Sequence, residues 1–164
     1  MTDIFLGIGG NLGCRKINID VTIEYISQLI AKPFKISSLY MTEPWGFEHA
    51  QYFLNGVIHI KSEISLEDLH KQTLEIEKLM KRIKSKGGYE GRTMDIDILF
   101  FGQEVINNEH LHIPHQKLQD RLFVLLPMFE IAPNFLHPIF NQSISEILKN
   151  CTDKSKIRKL NYGI

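Results

Sequence analysis

Apolar residues change their period several times along the chain, and each change marks an element. Residues 4–8 are a short β-branched and leucine-containing run that predicts a first strand. The run closes in Gly7-Ile8-Gly9-Gly10-Asn11-Leu12-Gly13, read as a tight strand-to-helix turn. Ile19, Ile23, Ile26 and Ile30 then step at helical spacing, and Pro33 stops that helix. Residues 34–41 predict a second strand. Residues 42–52 contain Pro44 and Gly46 and read as a loop. Residues 53–61 predict a third strand, with Leu54, Ile58 and Ile60 on one face and Asn55, His59 and Lys61 on the other. Ser65 is placed to cap a second helix, with Asp68 as its capping-box partner. Leu66, Leu69, Thr73, Ile76 and Met80 share one face of it. Residues 82–92 are polar, contain Gly87, Gly88 and Gly91, and read as a mobile loop.

The next run, Gly91-Arg92-Thr93-Met94-Asp95-Ile96-Asp97-Ile98-Leu99-Phe100-Phe101, carries the chemistry. Its apolar, β-branched and aromatic content predicts a strand. Alternation puts Asp95 and Asp97 on one face and Ile96, Ile98 and Phe100 on the other. Two adjacent carboxylates on an apolar strand repel each other and resist desolvation. A divalent cation removes both problems. Hard oxygen ligands favour Mg²⁺, which is often held by one or two carboxylates plus substrate phosphates. Arg92 suits an anion. A metal-assisted phosphoryl-transfer site is therefore one reading; a half-solvated edge strand is the other.

Beyond the acids, a hairpin-like turn is expected at Gly102-Gln103-Glu104 and irregular structure over 107–121. Residues 122–132 predict a short helix with Pro127 in its first turn, and 143–150 a small final helix. The order β-α-β-β-α-β indicates an α+β sandwich: a ferredoxin-like core with an antiparallel sheet and added C-terminal elements.

Composition narrows the classes. A length of 164 residues suits one domain, 1–164, and 43% hydrophobic with 23% charged residues is ordinary for a globular protein. Nineteen basic residues balance nineteen acidic ones, so no global basic field argues for nucleic acid or an acidic membrane. Cys14 and Cys151 are far apart, no leader-like or membrane-length apolar run is present, and a cytoplasmic protein is expected. The glycines at 7, 9, 10 and 13 are spaced G-x-G-x-x-x-G, unlike a dinucleotide fingerprint, and no P-loop exists. His110, His112 and His115 lack a fourth ligand at a zinc-site spacing.

Several segments taken in order decide the reading. They are Ser38-Leu39-Tyr40-Met41-Thr42-Glu43-Pro44-Trp45-Gly46, Tyr52-Phe53-Leu54-Asn55, Glu77, Arg82, the Arg92–Leu99 acidic run, Ile113-Pro114-His115, Arg121-Leu122-Phe123-Val124 and Glu130-Ile131-Ala132-Pro133. At this spacing they resemble the 6-hydroxymethyl-7,8-dihydropterin pyrophosphokinases of folate synthesis. The resemblance implies transfer of the β,γ-pyrophosphoryl group of ATP to the pterin hydroxymethyl, with AMP leaving. It implies two Mg²⁺ on Asp95 and Asp97, with Arg82 and Arg92 as further catalytic groups. For ATP it implies Glu77, Arg82, Lys84, Arg92, Ile98, His115 and Arg121; Arg82, Arg92, His115 and Arg121 act as cations and donors to the phosphates. For the pterin it implies Thr42, Pro44, Trp45, Phe53, Asn55, Tyr89, Asp95 and Phe123. Phe53 and Phe123 would stack on the flat heterocycle while Asn55 reads its edge.

The chain departs from the family pattern at four places, all but one of them in or beside 82–92. Lys84 replaces a frequent arginine, Tyr89 a tryptophan, and Glu90-Gly91 a Gly-Pro; Gln116 replaces an aromatic or proline. A monomer without nucleic-acid or membrane partners is expected. A ferredoxin-like RNA-binding module is the alternative, but the chain lacks that module's aromatic and glycine pattern.

Overall fold

The computed structural model describes residues 1–43, 51–80 and 93–160. Its elements are β1 (Thr2–Gly10), α1 (Arg15–Leu29), β2 (Pro33–Ile36), β3 (Leu39–Thr42), β4 (Phe53–Ser62), α2 (Leu66–Leu79) and β5 (Asp95–Phe101), then β6 (Ile106–Asn107), β7 (His112–Ile113), a 3₁₀ turn at Leu118–Asp120, α3 (Leu122–Ile131), α4 (Ile144–Asn150) and β8 (Ile157–Leu160). The main sheet runs β5-β1-β4-β3-β8, with β2 also pairing β4, and every pair is antiparallel. With β2 and β3 sharing one strand position, this is the ferredoxin-like βαββαβ order.

Strand alternation divides the sheet into two faces. Ile4, Leu6 and Ile8 of β1, Leu54, Ile58 and Ile60 of β4, and Ile96 and Ile98 of β5 join Ile19 and Ile26 of α1 and Leu69 and Ile76 of α2 in one core. Ile23 and Ile30 of the expected stripe pack at its margin, only partly buried. Burial of each such side chain contributes about 2 kcal/mol. The opposite face carries Phe5, Val57, Leu99 and Phe100, covered by α3 and α4 through Val124, Leu125, Met128, Ile131, Ile144 and Ile147.

Phe100 therefore lies on the face opposite to the one alternation assigns it. Phe5 pairs with Phe100, but Leu6 pairs with Ile98, so β5 holds one extra residue against β1. That bulge brings Leu99 and Phe100 into the same core. The second predicted strand is likewise split. Ser37 Oγ accepts the Val57 N–H at 2.9 Å, so a side chain replaces the backbone in the ladder between β2 and β3.

The Ser65 cap is present: its hydroxyl accepts the Asp68 N–H at 3.1 Å. Asp68 Oδ2 returns to the Ser65 hydroxyl at 2.7 Å, forming a variant of the expected box. Glu104 N–H closes a turn on Phe101 O at 3.0 Å, with Gly102 at positive φ. No hairpin back to β5 follows, because β6 pairs with β7 and His115 N–H takes the β5 carbonyl of Leu99 at 3.1 Å. Pro127 sits inside α3 rather than in its first turn, since the helix starts at Leu122. β8 has no counterpart in the sequence pattern, its two central residues, Arg158 and Lys159, being charged and exposed.

The end of α3 is tied to the sheet through Glu130. Its carboxylate accepts the Ser38 N–H and hydroxyl at 3.1 and 2.7 Å and the Tyr40 hydroxyl at 2.8 Å, with Lys159 Nζ 3.4 Å away. Burial alone raises the Glu130 pKa, but the bonds from Ser38 and Tyr40 outweigh it and hold it below the ordinary value. α3 is thereby fixed across β3, which matters because Arg121 and Phe123 stand at its other end.

Candidate active site

The candidate residues converge because β1 is glycine where its neighbouring strands carry them. Gly9 pairs with Asn55 on one side and Asp95 on the other; Gly7 pairs with Val57 and Asp97. All face away from the α1/α2 core. A side chain at Gly9 cannot coexist with its neighbour: a Cβ there would lie 2.2 Å from Asn55 Oδ1. At Gly7 a Cβ would meet only the Leu99 side chain at 3.3 Å. The two glycines thus form the floor of a cavity of about 700 Å³, within the range of ligand clefts. They belong to the strand, whereas the sequence reading placed them in a turn; Gly13, at φ 65°, is the turn glycine. The predicted residues Thr42, Phe53, Asn55, Glu77, Asp95, Asp97, Ile98, His115, Arg121 and Phe123 all line this cavity. Pro44, Trp45, Arg82, Lys84, Tyr89 and Arg92, and the loop expected over 82–92, fall outside the described residues.

Each wall has its own support. Asn55, 7% exposed, donates Nδ2 to Thr42 Oγ1 at 2.8 Å, which leaves Oδ1 over Gly9. Thr42 is the end of β3 rather than the start of a loop. Glu77, 4% exposed, reaches from α2 to accept the Ile96 N–H at 2.9 Å. It therefore holds the backbone between the two aspartates, a role that its assignment to ATP does not capture. Arg121 is buried and lies over the Phe123 ring, its guanidinium carbon 5.5 Å from the centroid.

His115 follows a cis Ile113–Pro114 bond, and its Nε2 stands 4.0 Å from Asp97 Oδ1. Burial first, and then the positive charge of Arg121, push its pKa down to about 4. Its Nδ1 accepts the Lys117 N–H at 3.3 Å, so the neutral ring carries its proton on Nε2. In the free protein His115 is thus a neutral donor; of the residues expected as cations and donors to the phosphates, it belongs with the donors.

Asp95 and Asp97 suit a hard divalent ion: two carboxylates side by side on an open floor. Among the described residues no group of three or more histidines, cysteines or acids forms a metal cage. This donor set fits an ion whose remaining ligands are phosphate and water. The sequence reading missed the continuation of the cavity past Glu77 and Ile98, between His70, Thr73 and Leu74 of α2 and His110, Leu111 and His112 around β7. The helical register placed Thr73 beside Ile76, but nothing local marked the facing segment.

The family model of 7,8-dihydro-6-hydroxymethylpterin-pyrophosphokinase matches residues 5–133. The chain belongs to this family. It is accordingly a pyrophosphokinase, transferring pyrophosphate from ATP to hydroxymethyldihydropterin in folate synthesis. The 2-amino-4-hydroxy-6-hydroxymethyldihydropteridine pyrophosphokinase of Aquifex aeolicus is 36% identical over 146 residues, 89% of this chain and 90% of that one. The Haemophilus influenzae protein of the same name is 35% identical over 159 residues, 96% and 98% of the two chains. The pyrophosphokinase also shares its fold with the crystal structure of Plasmodium falciparum HPPK-DHPS wild type with pteroate, at TM-score 0.72 and 17% identity. That match covers 91% of this chain but 44% of the other, a longer protein.

Proposed function

We propose that the cavity holds both substrates of the pyrophosphokinase at once, with the parts divided along its length. The observation that carries this is the position of Asp95 and Asp97. They open between an aromatic and amide end, Phe53, Asn55 and Phe123, and an extension lined by α2 and the β6–β7 segment. The pterin ring stacks between Phe53 and Phe123, and Asn55 Oδ1 accepts a hydrogen bond from its amino-bearing edge. Thr42 lines the same end of the cavity, and by the resemblance to the family Pro44, Trp45 and Tyr89 would also serve the pterin. The triphosphate crosses the two aspartates, and the nucleobase enters the extension past Glu77 and Ile98.

Asp95 and Asp97 would hold two Mg²⁺ ions, which neutralise the triphosphate and make the β-phosphorus electrophilic. Arg121 offers its guanidinium to the phosphates, and the Nε2–H of His115 donates to them. By the resemblance to the family, Arg82, Lys84 and Arg92 would add further positive charge to the phosphates. The pterin hydroxyl oxygen bonds to the β-phosphorus and gives its proton to water as the bond from that phosphorus to the AMP oxygen breaks. No covalent enzyme intermediate is required.

We also read the chain as a single domain, 1–164, acting as a cytoplasmic monomer. A reaction that consumes ATP suits the cytoplasm. The RNA-binding alternative requires an open sheet face, and α3 and α4 cover the one outside the α1/α2 core.

Asn55→Ala separates the two ends. It removes the edge acceptor and leaves Thr42 Oγ1 without its Nδ2 donor. Pterin affinity is expected to fall about tenfold or more, with affinity for a non-hydrolysable ATP analogue nearly unchanged. Calorimetry with each ligand reads the difference. A defect mainly in nucleotide binding would place Asn55 at the wrong end.

A further inference from the structure

We propose that Asp153 is a positioning residue for the pterin end of the cavity, holding the first turn of α3 and with it Arg121 and Phe123. The proposal rests on the division of the cavity given above. The first N–H groups of a helix have no partner within it. The N-cap of α3 is Arg121, whose side chain makes no capping bond and is turned to the cavity instead. The cap comes from the C-terminal segment: Asp153 Oδ2 accepts the Leu122 N–H at 2.9 Å. Its other oxygen, Oδ1, accepts the Ser155 N–H at 2.8 Å and the Ser155 hydroxyl at 2.5 Å, so the carboxylate is itself fixed.

The charge is also suited to the place. Burial raises the Asp153 pKa, but the bonds from Ser155 and Leu122 more than reverse this, and the group is ionised at neutral pH. A carboxylate at a helix N-terminus meets the positive end of the helix dipole. Leu122 lies between Arg121 and Phe123, and the guanidinium rests over the Phe123 ring. Fixing the Leu122 N–H therefore sets the backbone from which a phosphate-side cation and a stacking ring both project. Small misplacements of such groups are costly to binding and turnover.

A second contact acts on the facing wall. Within the same segment β8 pairs with β3, Ile157 opposite Thr42, and Thr42 is the hydrogen-bond partner of Asn55. Residues 151–160 thus brace both sides of the pterin end, although the family match ends at residue 133.

The test uses the full chain with Asp153→Ala, Asp153→Asn and Ser155→Ala. Steady-state constants for both substrates, thermal unfolding and amide exchange at Leu122 and Phe123 are measured. Asp153→Ala is expected to raise the pterin KM about tenfold, the scale of a lost helix cap. Asp153→Asn restores most of it, because its amide oxygen accepts the same N–H. Ser155→Ala falls between, and reports on the tie even where Asp153→Ala folds poorly. A lowered Tm with an unchanged pterin KM in these variants would overturn the proposal. If the wild-type protein releases no AMP, the functional reading fails separately. Amide exchange then decides: faster exchange at Leu122 and Phe123 in Asp153→Ala supports the positioning role, and unchanged exchange refutes it.

Discussion

Asp97→Ala is expected to fold as the wild type does and to lose turnover by about 10³-fold, the scale of removing one electrostatic element aimed at developing charge. The Asp97 side chain is 37% exposed on the cavity floor, so its loss removes little packing. Asp95 would remain on the same face but could not hold two ions against a triphosphate. Asp97→Asn should be nearly as inactive, since the amide keeps the shape and loses the charge. AMP release under saturating substrates with Mg²⁺ gives the rate, and circular dichroism checks the fold. Near-wild-type turnover in Asp97→Ala would remove the aspartate pair from the reaction.

A second large effect is expected at a residue with no side chain. Gly9→Ala puts a Cβ 2.2 Å from Asn55 Oδ1, so the amide must leave its place and its bond to Thr42. The backbone of Gly9 is not at positive φ, so alanine adopts it without strain. The damage is then confined to the pterin edge reader. Pterin affinity should fall about 100-fold, combining the displaced amide with a crowded floor. Gly7→Ala is the milder control, because its Cβ meets the Leu99 side chain at 3.3 Å and not the Asn55 amide. Comparable pterin affinity in the two variants would show that Asn55 is not held by Gly9 as described.

What the sequence disclosed depended on how local each cause was. Alternation found β4 and the two acid positions of β5, because both strands bury one face against α1 and α2. It misplaced Phe100, since a bulge depends on how β1 aligns with β5, which no single segment encodes. The glycines of β1 were visible but misread. Their role comes from Asn55 on another strand, while locally they look like a turn. Glu77 lies on the buried side of α2 and was reached only through the family pattern, because its partner is the Ile96 backbone. β8 was missed because Arg158 and Lys159 break any apolar rhythm, and pairing with β3 alone defines it. The residue types that line the cavity were therefore legible, whereas the glycine floor and the outside supports emerge only from tertiary pairing.

In this cavity the hydroxyl of the pterin is expected to attack the β-phosphorus of ATP. Phosphorus NMR of the protein with ATP, Mg²⁺ and 6-hydroxymethyl-7,8-dihydropterin reads this directly. AMP and the pterin diphosphate are expected in equal amounts, both forming about 10³-fold more slowly with the Asp97→Ala variant. Formation of ADP with a pterin monophosphate, or no pterin-dependent consumption of ATP, would contradict it.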